Sequence, residues 1–199
     1  DKILEFSKEK KPKPILLHGI TGSGKTEIYL QTIREVLAQG RQAILLAPEI
    51  ALTPQLIGRV QGRLRQKIAI YHSGLSEAWR QLYWEKMRTG ELKVVVGTRS
   101  ALFAPFPNLG LIIIDEEQDS SYKQEEGIFH YHARDAAIVR AGLEGAACLL
   151  GSATPSLESF HNAKKGKYHY LYLDERATGA KLPSVDLIEL RMRVGMIFQ

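Results

Sequence analysis

The sequence predicts an α/β fold built on a mainly parallel, doubly wound sheet with helices on both of its faces. Short aliphatic runs alternate along the chain with segments of helical periodicity, which is the pattern of right-handed strand–helix–strand crossovers. The aliphatic runs show no polar alternation, and this indicates strands that are covered on both faces. An apolar fraction of 44% over 199 residues is sufficient for such a core.

Strands and helices are expected to follow one another in order along most of the chain. The predicted strands cover residues 15–18, 43–47, 67–71, 94–97, 111–115 and 147–151, and the predicted helices cover 25–39, 53–66, 76–89, 133–143 and 156–165. The pattern weakens after residue 173, where 185–190 is a candidate for an extra strand. Parallel sheets of this kind bind ligands at the carboxyl ends of their strands, so the motifs found there deserve most weight.

Composition and charge narrow the class of protein. No run of 18 apolar residues is present, and the first residues lack the apolar stretch of a secretory leader, so we expect no membrane partner. The one cysteine, Cys148, lies in an apolar run and is expected to be a buried core thiol in a cytoplasmic protein. A net charge of +5 is compatible with binding to nucleic acid but does not require it.

A complete phosphate-binding loop follows the first predicted strand and leads into the first predicted helix. The string from residue 19 to residue 26 reads G-I-T-G-S-G-K-T, and strand, loop and helix are the setting this motif needs. Its glycines and backbone N–H groups can surround phosphate oxygens, while Lys25 would reach the β- and γ-phosphates and the Thr26 hydroxyl would bind Mg²⁺. The predicted nucleotide-binding residues are Gly19, Thr21, Gly22, Ser23, Gly24, Lys25 and Thr26.

A second motif is acidic and follows the aliphatic run at 111–114, where the chain reads D-E-E-Q-D. Asp115 would hold Mg²⁺ through a hard oxygen ligand. Glu116 would orient and polarise the attacking water. With Lys25, these two carboxylates form the predicted catalytic set for hydrolysis of a nucleoside triphosphate.

Three further strings follow other predicted strands: L-A-P-E-I-A-L-T-P-Q at 46–55, V-G-T-R-S-A at 96–101 and G-S-A-T-P-S at 151–156. In this order the motifs resemble those of superfamily 2 helicases, and the longer strings at 22–29, 115–124 and 151–159 resemble the replication-restart helicases of the primosome. The resemblance implies a RecA-like P-loop NTPase lobe that uses ATP and Mg²⁺ to drive 3′-to-5′ movement on DNA. It also implies that residues 1–199 are the first of two lobes, with 174–199 beginning the connection to the second.

The resemblance assigns further roles and partners. Gln118, Ser152 and Thr154 would couple hydrolysis to movement, although the family usually has His at the position of Gln118. The expected partners are single-stranded or forked DNA, the second lobe and other domains of the intact protein, and primosome and single-strand-binding proteins. Because the family's arginine finger comes from the second lobe, the isolated fragment is expected to be weak or inactive as an ATPase.

A nucleic-acid face is predicted from the mixture of aromatic and basic residues at 122–135, which is similar to the family's aromatic-rich loop. Phe129 and Tyr131 would stack on bases, and Lys123 and Arg134 would contact phosphates. Thr98 and Arg99 are predicted to contact the DNA backbone. The alternatives are an exposed loop with its aromatics packed against the fold, and a structural ion pair for Arg99.

Two other functions fit parts of this pattern. One is the motor lobe of another superfamily 2 DNA translocase, acting in repair or restriction. The other is a P-loop kinase or a nucleotide-binding module without DNA activity, in which the G-T-R and S-A-T strings would have no role. Stimulation of ATP hydrolysis by single-stranded DNA separates a helicase from the last of these.

Overall fold

A computed structural model describes residues 2–7, 12–125 and 127–174, so the candidate strand at 185–190 lies outside the described residues. Its strands are β1 (Ile15–Gly19), β2 (Gln42–Leu46), β3 (Ala69–Tyr71), β4 (Val94–Gly97), β5 (Leu109–Asp115), β6 (Lys123–Gln124), β7 (Tyr131–His132), β8 (Ala147–Ser152) and β9 (His169–Leu173). All six predicted strands are confirmed, with bounds that differ by two residues or fewer at each end.

Seven of these strands form one sheet in the order β3-β4-β2-β5-β8-β1-β9. Every pairing within it is parallel, so all the carboxyl ends meet at one edge. The antiparallel pair β6–β7 lies outside this sheet. The strand order confirms the predicted doubly wound α/β architecture, and it places β1 and β5 on either side of β8.

Helices cover the sheet on both faces. They are α1 (Lys2–Ser7), α2 (Lys25–Ala38), α3 (Pro54–Leu64), α4 (Glu77–Arg88), α5 (Ala133–Glu144) and α6 (Leu157–Lys164). The five predicted helices correspond to α2 to α6, and three of them begin at hydroxyl caps, namely Thr53, Ser76 and Ser156. None of the described helices combines the length and apolar character needed to cross a bilayer.

Alternate residues of the central strands pack into two separate hydrophobic clusters, one on each face of the sheet. On β1, Leu16 packs with the cluster under α4 and α5, whereas Ile15 and Leu17 pack with α2 and α3. This two-sided burial explains why these strands read as unbroken aliphatic runs. Cys148 lies within the first cluster, where burial raises the pKa of its thiol to about 12. The predicted core thiol is therefore confirmed.

The edge strand β9 lies outside the predicted elements for a physical reason. It pairs with β1 on one side only, and its residues alternate between half-buried and exposed. An edge strand that meets water on one face has no need of an unbroken aliphatic sequence. Helix α1 and the two-residue strands β6 and β7 are too short for a periodic pattern to indicate them.

Candidate active site

The phosphate-binding loop joins the carboxyl end of β1 to the first turn of α2. Gly22 and Gly24 adopt φ angles of 81° and 88°, which only glycine adopts without strain. Gly24 is the residue before the helix, and it has no side-chain cap. The first N–H groups of α2 therefore point toward the space in front of the loop, where an anion would accept from them.

Two polar side chains of this loop lack the partner that the motif is built to bind. The Ser23 hydroxyl is buried, and no hydrogen-bond partner for it exists among the described residues. Lys25 is 9% exposed, and its ammonium donates to the carbonyl oxygen of Gly19 at 2.8 Å. Gly19 leaves room for the Ser23 side chain, because a Cβ there would lie 2.5 Å from the Ser23 hydroxyl oxygen and would require it to move. A phosphate group would supply acceptors to both side chains.

The acidic motif lies beside this loop, at the end of β5. Oδ1 of Asp115 accepts from the Tyr29 hydroxyl at 2.9 Å and from the backbone N–H of Glu116 at 3.1 Å. Burial raises the pKa of Asp115, and the bond from Tyr29 partly offsets this rise. Glu116 itself has a φ of 48°, a left-handed conformation that is uncommon and strained for a residue other than glycine.

One open cavity of about 500 Å³ brings the two motifs together. It is lined by Thr21, Gly22, Gly24, Lys25, Thr26, Glu27, Arg59, Arg63, Asp115 and Glu116. All three predicted catalytic residues and both predicted metal-binding residues are in this set. The volume is within the range of small-molecule and cofactor sites, about 300–1,000 Å³.

Two arginines of α3 line the cavity and were not predicted. Arg63 forms an ion pair with Glu27 at 3.0 Å, and Arg59 lies one helical turn earlier on the same face. Their spacing of four residues indicates that both lie on one face of α3. The local sequence does not indicate that this face packs beside the phosphate loop. They add positive charge to a cavity that is suited to polyphosphate.

The oxygen donors of the cavity fit Mg²⁺ bound together with a nucleotide. No cluster of three or more His, Cys, Asp or Glu side chains that could hold a metal occurs in the described part of the chain. Magnesium is commonly held by one or two carboxylates together with substrate phosphates. Asp115 and the Thr26 hydroxyl can supply the protein's share, because both line the cavity that the phosphate loop opens onto.

A chain of hydrogen bonds links Glu116 to the loop after β8. Nε2 of Gln118 donates to Glu116 at 3.0 Å, and Oε1 of the same amide accepts from the Ser152 hydroxyl at 2.6 Å. The Ser152 oxygen in turn accepts from the N–H of Thr154 at 2.9 Å. The structure therefore brings all three predicted coupling residues into one relay that reaches Glu116.

Sequence reasoning missed a second carboxylate site, which we call the Glu117 clamp: Glu117, Arg134, Ser156 and Ser159. Glu117 is fully buried and accepts from the Ser156 N–H at 2.7 Å, the Ser156 hydroxyl at 3.1 Å and the Ser159 hydroxyl at 2.8 Å. Arg134 approaches it to 3.3 Å. The clamp fastens the acidic motif to the starts of α5 and α6.

Arg134 is a correction to the predicted DNA face. Its side chain is 10% exposed, and its guanidinium contacts Glu117, Asp135 and the Ser156 hydroxyl. A group that already meets a buried carboxylate is not available to a phosphate at the surface. Arg134 therefore has a structural role here, and the prediction failed because local sequence does not show which of two adjacent carboxylates is buried.

Other residues of the predicted DNA face surround a second cavity of about 440 Å³ at the same edge of the sheet. Thr98, Arg99 and Tyr131 line it, together with Arg80 and Gln124 among others. Arg99 donates to the backbone carbonyls of Ser121 and Lys123 at 3.0 and 2.6 Å. It thus ties the segment after the acidic motif to β4, whereas the alternative considered for it was an ion pair.

Of the remaining two predicted residues, Lys123 lies on β6, and Phe129 lies in the connection between β6 and β7. Phe129 is 80% exposed, and Lys123 forms a surface ion pair with Glu125. Tyr131 is half-buried and packs edge-on against Phe103, with ring centroids 5.4 Å apart. One aromatic of the pair is therefore presented to solvent, and the other is held against the fold.

Comparison with known proteins gives both a family and close relatives. The family model of the DEAD/DEAH box helicases matches residues 3–163. The chain is 54% identical over 179 residues to the replication restart protein PriA of Bacillus subtilis, and 50% identical over 181 residues to that of Synechocystis. These matches cover 90% and 89% of this chain. The chain spans only 22% of the length of each of these relatives.

Solved structures with the same fold are also helicases. The structure of RecG bound to a three-way DNA junction is similar over 97% of this chain and 26% of that one, with a TM-score of 0.66 and 24% identity. The helicase MrfA bound to DNA is similar over 87% of this chain and 25% of that one, with a TM-score of 0.59 and 20% identity. These likenesses concern the fold alone, and they confirm the predicted RecA-like lobe.

Proposed function

This chain belongs to the DEAD/DEAH box helicase family, and we propose that it is the ATP-binding motor lobe of a 3′-to-5′ DNA helicase that acts in replication restart. One observation carries the proposal: Lys25, Thr26, Asp115 and Glu116, from two separate motifs, line a single cavity. That arrangement suits a bound nucleoside triphosphate whose γ-phosphate is attacked by water. The family supports ATP as the nucleotide.

The four residues that carry the proposal have distinct roles in hydrolysis. Lys25 exchanges its bond to the Gly19 carbonyl for one to the β- and γ-phosphates. Glu116 accepts a hydrogen bond from the attacking water and takes up its proton as the new bond from oxygen to the γ-phosphorus forms. The bond from the γ-phosphorus to the bridging oxygen breaks in the same step, and ADP is the leaving group. Thr26 and Asp115 would hold Mg²⁺, which would neutralise charge on the phosphates when bound.

Movement is coupled to hydrolysis through the relay described above. The Gln118 amide bridges Glu116 and Ser152, so a displacement of Glu116 when the nucleotide changes shifts the loop after β8. A neutral amide in this position transmits position without carrying a proton. The predicted result is a mechanical link whose strength depends little on pH.

The substrate and partners follow from the relatives. Similarity to replication restart proteins PriA favours single-stranded or forked DNA as the substrate. Thr98, Arg99 and Tyr131 around the second cavity, with Phe129 and Lys123 nearby, are the proposed contacts. The second lobe supplies the remaining catalytic cation, and primosome and single-strand-binding proteins are the proposed partners of the intact protein.

The test is the substitution Glu116→Gln in the full-length protein. It should leave nucleotide affinity within about twofold, while turnover falls by about 10²–10⁴, the usual contribution of a general base. Glu27→Gln is the matched control, because Glu27 lines the same cavity but is paired with Arg63. Steady-state ATPase should be measured with and without single-stranded DNA, together with binding of a fluorescent ATP analogue.

Two outcomes would overturn the proposal. Wild-type turnover in Glu116→Gln would remove Glu116 from the chemistry, and a wild-type ATPase indifferent to single-stranded DNA would remove the helicase assignment. Residues 1–199 alone belong in the same series. We expect them to bind nucleotide weakly and to hydrolyse it slowly, because half of the interlobe site is absent.

A further inference from the structure

Tyr29 is a buried residue of α2 whose hydroxyl contacts the acidic motif. It lies one turn after Lys25, it is 1% exposed, and its hydroxyl donates to Oδ1 of Asp115 at 2.9 Å. It does not line the nucleotide cavity. The phenol therefore contacts the carboxylate without being part of the cavity wall.

The path of this ring depends on one glycine. Gly151 on β8 pairs directly with Asp115 on β5. A Cβ at position 151 would lie 1.7 Å from the Tyr29 hydroxyl oxygen and 2.7 Å from the ring carbon that bears it. No side chain larger than hydrogen fits there while Tyr29 holds Asp115. The glycine of the G-S-A-T string thus leaves the space that the tyrosine occupies.

The two donors to Asp115 both use the same oxygen. Oδ1 accepts from the Tyr29 hydroxyl and from the Glu116 N–H, whereas Oδ2 has no hydrogen-bond partner within the described ranges. The terminal torsion of an aspartate is broad and nearly two-fold, so a single backbone donor defines it poorly. A second donor on Oδ1 fixes the carboxylate plane and leaves Oδ2 for a ligand.

We propose that Tyr29 is a positioning residue of the hydrolysis site: it orients the Asp115 carboxylate so that Oδ2 is presented to the cation of the bound nucleotide, and Gly151 is the residue that makes room for it. This inference rests on the proposed function, since it assumes that Asp115 helps to hold Mg²⁺. It goes beyond that function because Tyr29, which would contact neither the metal nor the nucleotide, sets the orientation of the Asp115 carboxylate.

The chain contains a matched control. Tyr122 is also buried, and its hydroxyl also bonds to Asp115, but it donates to the backbone carbonyl oxygen at 2.7 Å. Tyr29→Phe and Tyr122→Phe each remove one buried hydroxyl next to the same residue. Only the first substitution frees the carboxylate. A loss that is merely structural should therefore appear in both variants, and a loss of carboxylate orientation in Tyr29→Phe alone.

The experiment titrates Mg²⁺ into the full-length protein with a fluorescent ATP analogue present and records binding of the analogue. In Tyr29→Phe the Mg²⁺ concentration for half-maximal binding should rise about tenfold, the size expected when one hydrogen bond to a charged group is lost. Binding in EDTA should be unchanged, because the phosphate loop is untouched. Tyr122→Phe should keep the wild-type Mg²⁺ dependence. The midpoint temperature of thermal unfolding without nucleotide should fall by a similar amount in both variants.

The outcomes separate this inference from the function on which it rests. A wild-type protein whose nucleotide binding ignores Mg²⁺ would overturn the proposed function and the inference together. Mg²⁺-dependent binding in the wild type with an unshifted Tyr29→Phe, or with an equal shift in Tyr122→Phe, would overturn the inference alone. Gly151→Ala, which displaces the ring, should reproduce the shift of Tyr29→Phe.

Discussion

The phosphate-binding loop and the Glu117 clamp lie at the same edge of one sheet, yet they treat their polar groups in opposite ways. In the loop, the Ser23 hydroxyl is buried with no partner among the described residues, and Lys25 is satisfied only by a backbone carbonyl. In the clamp, Glu117 accepts four hydrogen bonds, one of them from Arg134. The carboxylate, the guanidinium and both serine hydroxyls of the clamp are hydrogen-bonded to other groups of the protein.

The difference separates a region prepared for a ligand from a region that is complete without one. A buried polar group without a partner costs free energy, and a ligand that supplies the partner recovers it. A buried carboxylate is tolerated only when it is paired and hydrogen-bonded. Substitutions in the clamp should therefore affect the free energy of unfolding, and substitutions in the loop should affect nucleotide binding.

The largest effect should come from Glu117→Ala. Removing this carboxylate leaves Arg134 with no buried counter-charge, which typically destabilises a protein by about 3–5 kcal/mol. Glu158→Ala is the control, because Glu158 lies 3.9 Å from the same guanidinium nitrogen but its side chain is 70% exposed. Denaturant unfolding of both variants checks the prediction. Equal stability of the two variants would mean that burial of Glu117 is not what matters.

The next effect, Lys25→Ala, should spare stability and remove affinity. The free energy of unfolding should change by less than about 1 kcal/mol, the usual worth of one hydrogen bond. Binding of an ATP analogue should weaken by about 10²–10³, as when one charged or dipolar contact to a phosphate is lost. Lys13→Ala is the control, since Lys13 also donates to a glycine carbonyl, that of Gly166, but outside the cavity. If both lysines prove equal in binding, the loop is not the nucleotide site.

The smallest effect tests two aromatic residues beside the second cavity, namely Phe129 in the connection between β6 and β7, and Tyr131 on β7. Replacing Phe129 and Tyr131 together with Ala should leave ATPase without DNA unchanged. The concentration of single-stranded DNA needed for stimulation should rise about tenfold or more, since stacking contributes about 1–3 kcal/mol per base. Tyr172→Ala removes a similarly exposed aromatic from β9 and serves as control. Undiminished stimulation in the double variant would place DNA contact elsewhere.

Much of the fold and the centre of the site were predictable because they are encoded locally. The string from Gly19 to Thr26 specifies its own backbone, since positive φ at Gly22 and Gly24 is a property of glycine. The run before Asp115 is aliphatic because β5 is covered on both faces. Neither inference needed knowledge of a distant residue.

The parts that escaped prediction depend on partners far away in sequence. Glu116 and Glu117 are adjacent and chemically identical, yet one lines the cavity and the other is fully buried against α6. Tyr29 and Asp115 are 86 positions apart, and only the strand order brings them together. Arg59 enters the cavity because α3 packs beside α2. Such contacts follow from topology, which local patterns leave open.

The edge strand β9 could transmit force to the phosphate loop through its pairing with β1. It runs parallel to β1 through five consecutive pairings, the last of which joins Leu173 to Gly19, the first residue of the loop. A tension applied to the chain at residue 174 along the strand direction would act on these pairings in shear. The evenly spaced bonds of a parallel ladder would then share the force and would not open one at a time. A force applied beyond β9 would thus reach the first residue of the phosphate-binding loop.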